Sequence, residues 1–340
     1  MNPSQDFYLA LIRYACAAVV ASVGACSAVT LQASINIANF TAATNDRFAN
    51  DSSLITTVAG FDLSGVGRTL TGAPWSGTPQ SKGGFWGTLI DENIFVSAEH
   101  YHASNGTLLH FYPDNDPSTT PITRTISGGQ QIGTSDLWIG HLEFALPSSI
   151  KKYDWNQTSV NHGNFGSTLF GDFVYMNGVT PTTGTAYDNR LQNQAVGENR
   201  IDHLLLGQDL DPGSPGSVGD VVTMVENIAG DFAFSGEFDP ETYEADVNLG
   251  DSGSPLFTLN GAGTDLLVSG TAWFSATSFD IDPHPVNETL RDISGYTFTG
   301  NYQSEIQTYI GANLTMTVPE PSSALLMVLA MFFLCGVRRR

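Results

Sequence analysis

Between residues 52 and 312 the apolar positions do not recur with a helical period. They fall in short runs rich in Val, Ile, Phe, Tyr and Thr, set between clusters of Gly, Asn, Asp and Pro. Such runs are the mark of strands. They predict strands over residues 54–61, 84–90, 93–97, 107–112, 122–127 and 137–144 in the first half, and over 167–176, 219–226, 230–235, 254–259 and 265–274 in the second. Asn105-Gly106 marks a tight turn. One late helix is expected over 302–309, ending at Gly311. The polar stretch from Pro147 to Asn164 separates the halves. The simplest architecture is all-β: two Greek-key six-stranded β-barrels with a short C-terminal helix. The first would span residues 55–147 and the second, with the helix, 148–312, after an N-terminal extension at 29–54. A single large sandwich is the alternative.

Both ends depart from this pattern. Residues 14–25 are apolar behind Arg13 and are followed by small residues to Ala28, which predicts a signal peptide over residues 1–28, removed by signal peptidase. Val23-Gly24-Ala25-Cys26 also resembles a lipobox, the alternative in which Cys26 becomes a lipidated N-terminus. At the other end Pro319-Glu320-Pro321 precedes an apolar run over 324–337 and then Arg338-Arg339-Arg340. The run is shorter than the roughly 20 residues that span a bilayer, and the arginines favour the cytoplasmic side. Proline-glutamate-proline, apolar helix and basic cluster, occurring in that order over residues 313–340, resemble the PEP-CTERM sorting tail of Gram-negative bacteria. The resemblance implies processing by an exosortase, a membrane contact confined to the tail, and delivery to the cell surface or extracellular matrix. A plain C-terminal anchor is the simpler reading, and export follows from either.

Cys16 and Cys26 lie in the expected signal and Cys335 in the tail, so the body between holds no cysteine. A disulfide framework and a cysteine-ligated zinc are thereby excluded from it, and its core must supply its stability. The chain carries a formal net charge of -21. That surface excludes nucleic acid as a natural partner, because phosphate binding needs a basic face.

Against this background Gly250-Asp251-Ser252-Gly253-Ser254-Pro255 stands out. A serine between glycines suits acyl transfer, but its hydroxyl needs an adjacent base and a group to orient that base. His100 closes the run from Ile94, and Asp136 opens the apolar stretch to Leu142. The plain alternative is a surface turn, since all these residues favour turns. His102 competes with His100, and in an extended strand the two would share a face. His110 and His141 read as half-buried strand residues. Asp114 and Asp116 sit in Pro113-Asp114-Asn115-Asp116-Pro117, a solvated turn with oxygens of the kind that bind Ca²⁺, and Asp209-Leu210-Asp211-Pro212 is equally slight.

These motifs resemble the chymotrypsin-like (trypsin-like) serine peptidases over about residues 55–312. Gly250-Asp251-Ser252-Gly253 is similar to the family's nucleophile motif, Val96-Ser97-Ala98-Glu99-His100 to its histidine motif, and Asp136-Leu137-Trp138-Ile139 to its aspartate motif, in the family's order. Residues 267–274 resemble its substrate-flanking strand, and Ser294-Gly295-Tyr296-Thr297 the segment before its closing helix. The resemblance implies a catalytic triad of His100, Asp136 and Ser252, an oxyanion hole from the N–H groups of Gly250 and Ser252, no cofactor or metal, and a protein or peptide substrate. It places Asp246, Ala272, Trp273 and Phe274 at the substrate. Asp246 there would favour basic side chains, whereas Phe274, where glycine is common, would narrow the pocket toward small ones. Glu99 replaces a small residue beside the histidine, where a carboxylate would raise that histidine's pKa. Tyr101 stands where a cysteine is usual. No activation sequence precedes His100, so Asp251 must find a partner other than a new amino terminus. The rival readings are a non-catalytic surface or matrix protein on the same fold, and an esterase using the same triad.

Overall fold

The computed structural model describes residues 35–48, 61–70, 84–116, 118–160, 169, 171–180, 191–209, 218–225, 241–248, 250–277 and 292–314. The expected signal peptide, the apolar tail, the strand at 230–235 and residues 54–60 of the first expected strand lie outside them. Among the described residues no helix is long and apolar enough to cross a membrane.

The chain enters through a short strand, β1 (Asn36–Ile37), and a single helical turn, α1 (Ala42–Asn45), whose first turn is capped by Thr41 Oγ1 accepting from Thr44 N–H. Six strands then close a barrel: β2 (Val66–Arg68), β3 (Trp86–Leu89), β4 (Ile94–Ala98), β5 (Leu108–Phe111), β6 (Ile122–Gln131) and β7 (Leu137–Leu142), in the spatial order β2-β3-β4-β7-β6-β5. The ring is shut where Arg68 pairs with His110. Every residue of β3 and β4 is buried, because one face lines the barrel and the other meets the second half of the molecule. That explains why these strands show no strict alternation of apolar and polar residues. Phe95, Leu109, Phe111, Trp138 and Leu142 fill the interior. Trp138 takes the space that side chains would occupy at Gly129 and Gly140, where a Cβ would lie 1.8 and 2.1 Å from its ring.

The second half comprises β8 (Asp154–Trp155), β9 (Phe173–Gly178), β10 (Ala195–Arg200), β11 (His203–Asp209), β12 (Val218–Val225), β13 (Ala245–Asp246), β14 (Pro255–Leu259), β15 (Leu266–Thr277) and β16 (Asp292–Phe298). Its sheet runs β10-β9-β14-β15-β16-β12-β11, with β8 parallel to β15. The two edges of this path are consecutive in the chain. They join at the corner Ile201-Asp202, where Ile201 N–H donates to Asp172 O at 3.1 Å and Asp202 N–H to Thr223 O at 2.9 Å. With β10 and β11 counted as one strand bent at that corner, the sheet is a ring of six around Val174, Met176, Val222, Leu256 and Tyr296. The fold is therefore all-β with two barrels, as the strand pattern predicts. A seam of apolar side chains including Trp86, Val96, Ile139, Tyr175, Phe257 and Val268 joins the halves.

Several boundaries differ from the pattern. Among the described residues the first barrel opens at Val66, and Phe61, the one described residue of the expected 54–61 strand, is outside any strand. Of the expected 167–176 strand, residues 167, 168 and 170 lie outside the described residues; β9 begins at Phe173, after Gly171 at φ 80° and Asp172, whose N–H donates to Leu169 O. The polar stretch after Pro147 contains β8. The C-terminal helix, α2 (Gln303–Asn313), follows a 3₁₀ turn at Thr299–Tyr302 and continues through Gly311 instead of ending there. Ile306 and Tyr309 bury themselves in the seam, and Tyr309 OH is hydrogen-bonded to His141 Nδ1 at 2.7 Å, which fastens the helix to β7.

The entering segment is a strap across both barrels. β1 pairs with β13, Asn36 opposite Asp246. Asn45 Nδ2 donates to Val196 O, and the Thr180 hydroxyl to Asp46 Oδ2. Arg47 is 1% exposed and donates to Val66 O, Tyr112 O, Asp114 O and Asn115 Oδ1 on one side and to Gln194 Oε1 on the other. Burial pulls its guanidinium down to about 10, against nearby ionisable groups that hold it up, so it remains charged at neutral pH.

Candidate active site

His100 leaves the end of β4 two residues beyond Ala98, which pairs with Leu137 of β7. The residue before Leu137 is Asp136, so the ladder itself sets the carboxylate opposite the histidine. Glu99 N–H extends the ladder by donating to Asp136 O at 2.9 Å. Asp136 is fully buried, and its two oxygens are divided between the histidine's main chain and ring. Oδ1 accepts from His100 N–H at 2.8 Å, and Oδ2 lies 2.7 Å from His100 Nδ1. An ionised carboxylate only accepts, so the ring proton resides on Nδ1 and Nε2 presents a lone pair. That nitrogen is 2.9 Å from Ser252 Oγ. The three residues singled out by the sequence motifs thus form one hydrogen-bonded chain spanning both barrels.

Ser252 is presented by a tight turn that hydrogen bonds hold on each side. Asp251 N–H donates to Asn248 O, Ser254 N–H to Asp251 O and Gly253 N–H to Ala272 O at 2.8 Å. Gly250 and Gly253 take φ 109° and 83°, conformations natural to glycine. The turn also rests on the first barrel, where Trp86 Nε1–H donates to Gly250 O at 3.2 Å. Arg68 stacks over Trp86 at 4.2 Å and donates to Asn193 O. Among the described residues, neither Gly250 N–H nor Ser252 N–H has a protein acceptor.

Asp251 points away from the serine into the second barrel, where its carboxylate accepts from Val179 N–H at 2.6 Å and Asn248 N–H at 2.9 Å. Complete burial pushes its pKa up to about 7, and the two amides and the Arg68 charge only partly oppose this. Its partners are main-chain amides.

Glu99 turns toward His102, its Oε2 3.7 Å from His102 Nε2. Burial, helped by the neighbouring Asp136 charge, pushes Glu99 up to about 7, while His100 pulls it down. His102 stacks on Trp138 at 4.4 Å, and burial lowers its pKa. It does not share the site of His100, because the chain turns after β4 instead of continuing as a strand. His110 and His141 are half-buried on β5 and β7. The Asp114–Asp116 turn satisfies itself: Asp114 Oδ1 accepts from Asp116 N–H and Asp116 Oδ1 from Ser118 N–H. Among the described residues no three His, Cys, Asp or Glu side chains gather in a way that would hold a metal ion.

Of the four residues expected at the substrate, Ala272 is hydrogen-bonded to the turn itself, its N–H donating to Ser254 O. Trp273 occupies a bulge of β15 opposite β16, and Phe274 pairs with Gly295. Asp246 is 5% exposed on β13, held in the ladder with β1. Sequence reasoning missed Arg68 and Trp86, whose only signal was a cation and an indole in short runs next to glycines.

No protein-family model matches the chain, and no curated protein matches it. Among solved structures, the crystal structure of Rv3671c protease in its inactive form is similar, with a TM-score of 0.41 and 17% identity over 79% of this chain and 98% of that one.

Proposed function

We propose that the chain is an exported serine endopeptidase of the chymotrypsin-like class. The observation that carries this reading is His100 bridging Asp136 at 2.7 Å and Ser252 at 2.9 Å. Ser252 Oγ attacks the scissile carbonyl carbon as its proton passes to His100 Nε2. Asp136 holds the ring by its Nδ1–H and stabilises the imidazolium. The carbonyl oxygen, now negative, is received by the N–H groups of Gly250 and Ser252, where one such donor contributes about 3 kcal/mol to the transition state. His100 then protonates the leaving amine, and water, deprotonated by the same nitrogen, releases the acyl group from Ser252.

The same three residues would hydrolyse an ester. A peptide is favoured by β15, which runs on past the end of β14: the last residue paired there is Thr271, and β15 continues to Thr277 with β16 on its other side. An extended substrate adds to that edge as a further strand, beginning beside the nucleophile. The N-terminal signal and the PEP-CTERM-like tail support export, cleavage by signal peptidase, sorting by an exosortase and residence at the cell surface or in the extracellular matrix.

Labelling the full chain with an alkyl fluorophosphonate tests the reading, with mass spectrometry to locate the adduct. An adduct on Ser252, lost in Ser252→Ala and sharply reduced in His100→Ala, is expected. A folded chain that takes up no label would remove the serine-hydrolase reading and leave the fold as a binding scaffold.

A further inference from the structure

Three peptide units join Gly250 to Gly253 and carry Ser252 between them. The third is fastened to β15 by Gly253 N–H donating to Ala272 O at 2.8 Å, and the second is held by Asp251 O accepting from Ser254 N–H at 2.8 Å. Both bonds lie within the second barrel. The first unit, between Gly250 and Asp251, is held at both ends: its N–H donates to Asn248 O at 3.0 Å, and its carbonyl oxygen accepts from Trp86 Nε1–H at 3.2 Å. A trans peptide is planar, with those two groups pointing opposite ways, so a bond at each end fixes its rotation. The indole comes from the first barrel, the one that carries His100.

Trp86 is itself immobilised. It lies on β3, 1% exposed, in the apolar seam between the barrels. Its partner in the ladder with β2 is Arg68, whose guanidinium lies over the indole at 4.2 Å, close enough for cation–π attraction. Arg68 has no exposed surface and donates to Asn193 O at 2.6 Å and to Gly84 O at 3.1 Å, so main-chain carbonyls set its own position.

Resting on the peptidase reading above, we infer that Trp86 is a positioning residue for the reaction: by fixing the Gly250–Asp251 peptide from the first barrel, its indole N–H keeps Ser252 Oγ within reach of His100 Nε2. The two reacting side chains come from different barrels and stand 2.9 Å apart. Without the N–H, the plane between residues 250 and 251 is held at one end only. It then turns about Gly250, whose φ of 109° a glycine leaves at little cost, and the serine that follows is displaced. Where reacting atoms must be aligned, a misplacement of about 1 Å costs about a hundredfold in rate, so a fraction of that shift is enough to slow the nucleophile about tenfold.

The test removes the N–H and keeps the shape. Trp86 is exchanged for β-(3-benzothienyl)alanine, which has sulfur in place of the N–H, and Trp86→Phe is made beside it. The alkyl fluorophosphonate is applied to the full chain; Ser252 Oγ bonds to phosphorus as fluoride leaves and His100 takes the proton. The rate of labelling is followed against pH, together with the unfolding temperature. The expected result is labelling of Ser252 about tenfold slower in both variants, with the unfolding temperature of the isosteric variant retained and the pH midpoint of the reaction, which reports His100, unmoved. An unchanged rate in either variant that folds overturns the inference. A slower rate that comes with a lower unfolding temperature in the isosteric variant assigns the N–H to stability and overturns it too. So does a moved midpoint, since the indole would then act on the histidine. In each of these cases the nucleophile stands. An unsubstituted chain that takes up no label removes the peptidase reading and this inference with it.

Discussion

Gly253 stands against Ser97: a Cβ on the glycine would lie 2.7 Å from the Ser97 hydroxyl and 3.0 Å from Ala98 N. The turn that presents Ser252 and the strand that delivers His100 are therefore in direct contact, and their spacing depends on the absence of a side chain at one position.

Gly253→Ala is expected to lower kcat/KM at least a hundredfold and destabilise the fold by about 2–3 kcal/mol, combining the strain of a positive φ with the displacement of β4. Gly263→Ala is the control. Its φ is also positive, at 68°, yet nothing lies within 4 Å of the added carbon, so only the backbone cost of about 1 kcal/mol applies and activity is retained. Peptide hydrolysis and urea unfolding of both variants measure the difference.

Asp136→Asn presents an amide where His100 needs two acceptors. One of the two histidine N–H groups then faces a donor, the ring adopts the wrong tautomer, and kcat is expected to fall about ten-thousand-fold with the circular dichroism spectrum unchanged. Steady-state hydrolysis read beside fluorophosphonate labelling checks this.

Burial raises Asp251 from its ordinary 3.8 to about 7, so the folded chain binds a proton that the unfolded chain releases between those values. The stabilisation from this proton is full below about pH 4 and is lost as pH climbs toward 7. Asp251→Asn cannot ionise. Its unfolding temperature relative to the unsubstituted chain is expected to rise from pH 4 to pH 7 and then level. A difference that is flat across that range in thermal scans contradicts the assignment.

Arg47→Met removes the donors that satisfy Val66 O, Tyr112 O and Gln194 Oε1 inside the molecule. A loss of about 3–5 kcal/mol is expected, as for breaking a buried charged network. Arg47→Lys recovers only a part, since one ammonium cannot reach both barrels as the guanidinium fork does. Guanidinium chloride midpoints read both.

The strand-rich runs with β-branched and aromatic side chains made the barrels legible, most clearly in β4 and β7, which are apolar except at Ser97 and at Gly140 and His141. The hydrogen-bonded chain of His100, Asp136 and Ser252 joins residues that local motifs had already marked. β10 was hidden because Glu198 and Asn199 stand in its middle, both buried, with Asn199 Nδ2 donating to Ala245 O. Hydropathy treats such residues as surface, although a satisfied amide is at home inside. Arg47 was illegible for a related reason: its partners are main-chain carbonyls, which every sequence possesses. The turn after β4 that parts His102 from His100 has no apolar period, and its course depends on the stacking of His102 on Trp138, a contact between side chains 36 positions apart.

The pairing of β1 with β13 has a consequence in time. Asn39 donates to Thr242 across 203 positions, His100 meets Ser252 across 152, and the serine turn is bonded to Ala272 beyond it. Contacts so distant in sequence form late, after most of the loop-closing entropy has been spent. His100 and Asp136 lie 36 positions apart, and Ser252 follows the aspartate by a further 116, so the serine reaches the other two only from the second half of the chain. The hydrogen-bonded chain of the three residues is therefore complete only when both halves of the molecule are in place.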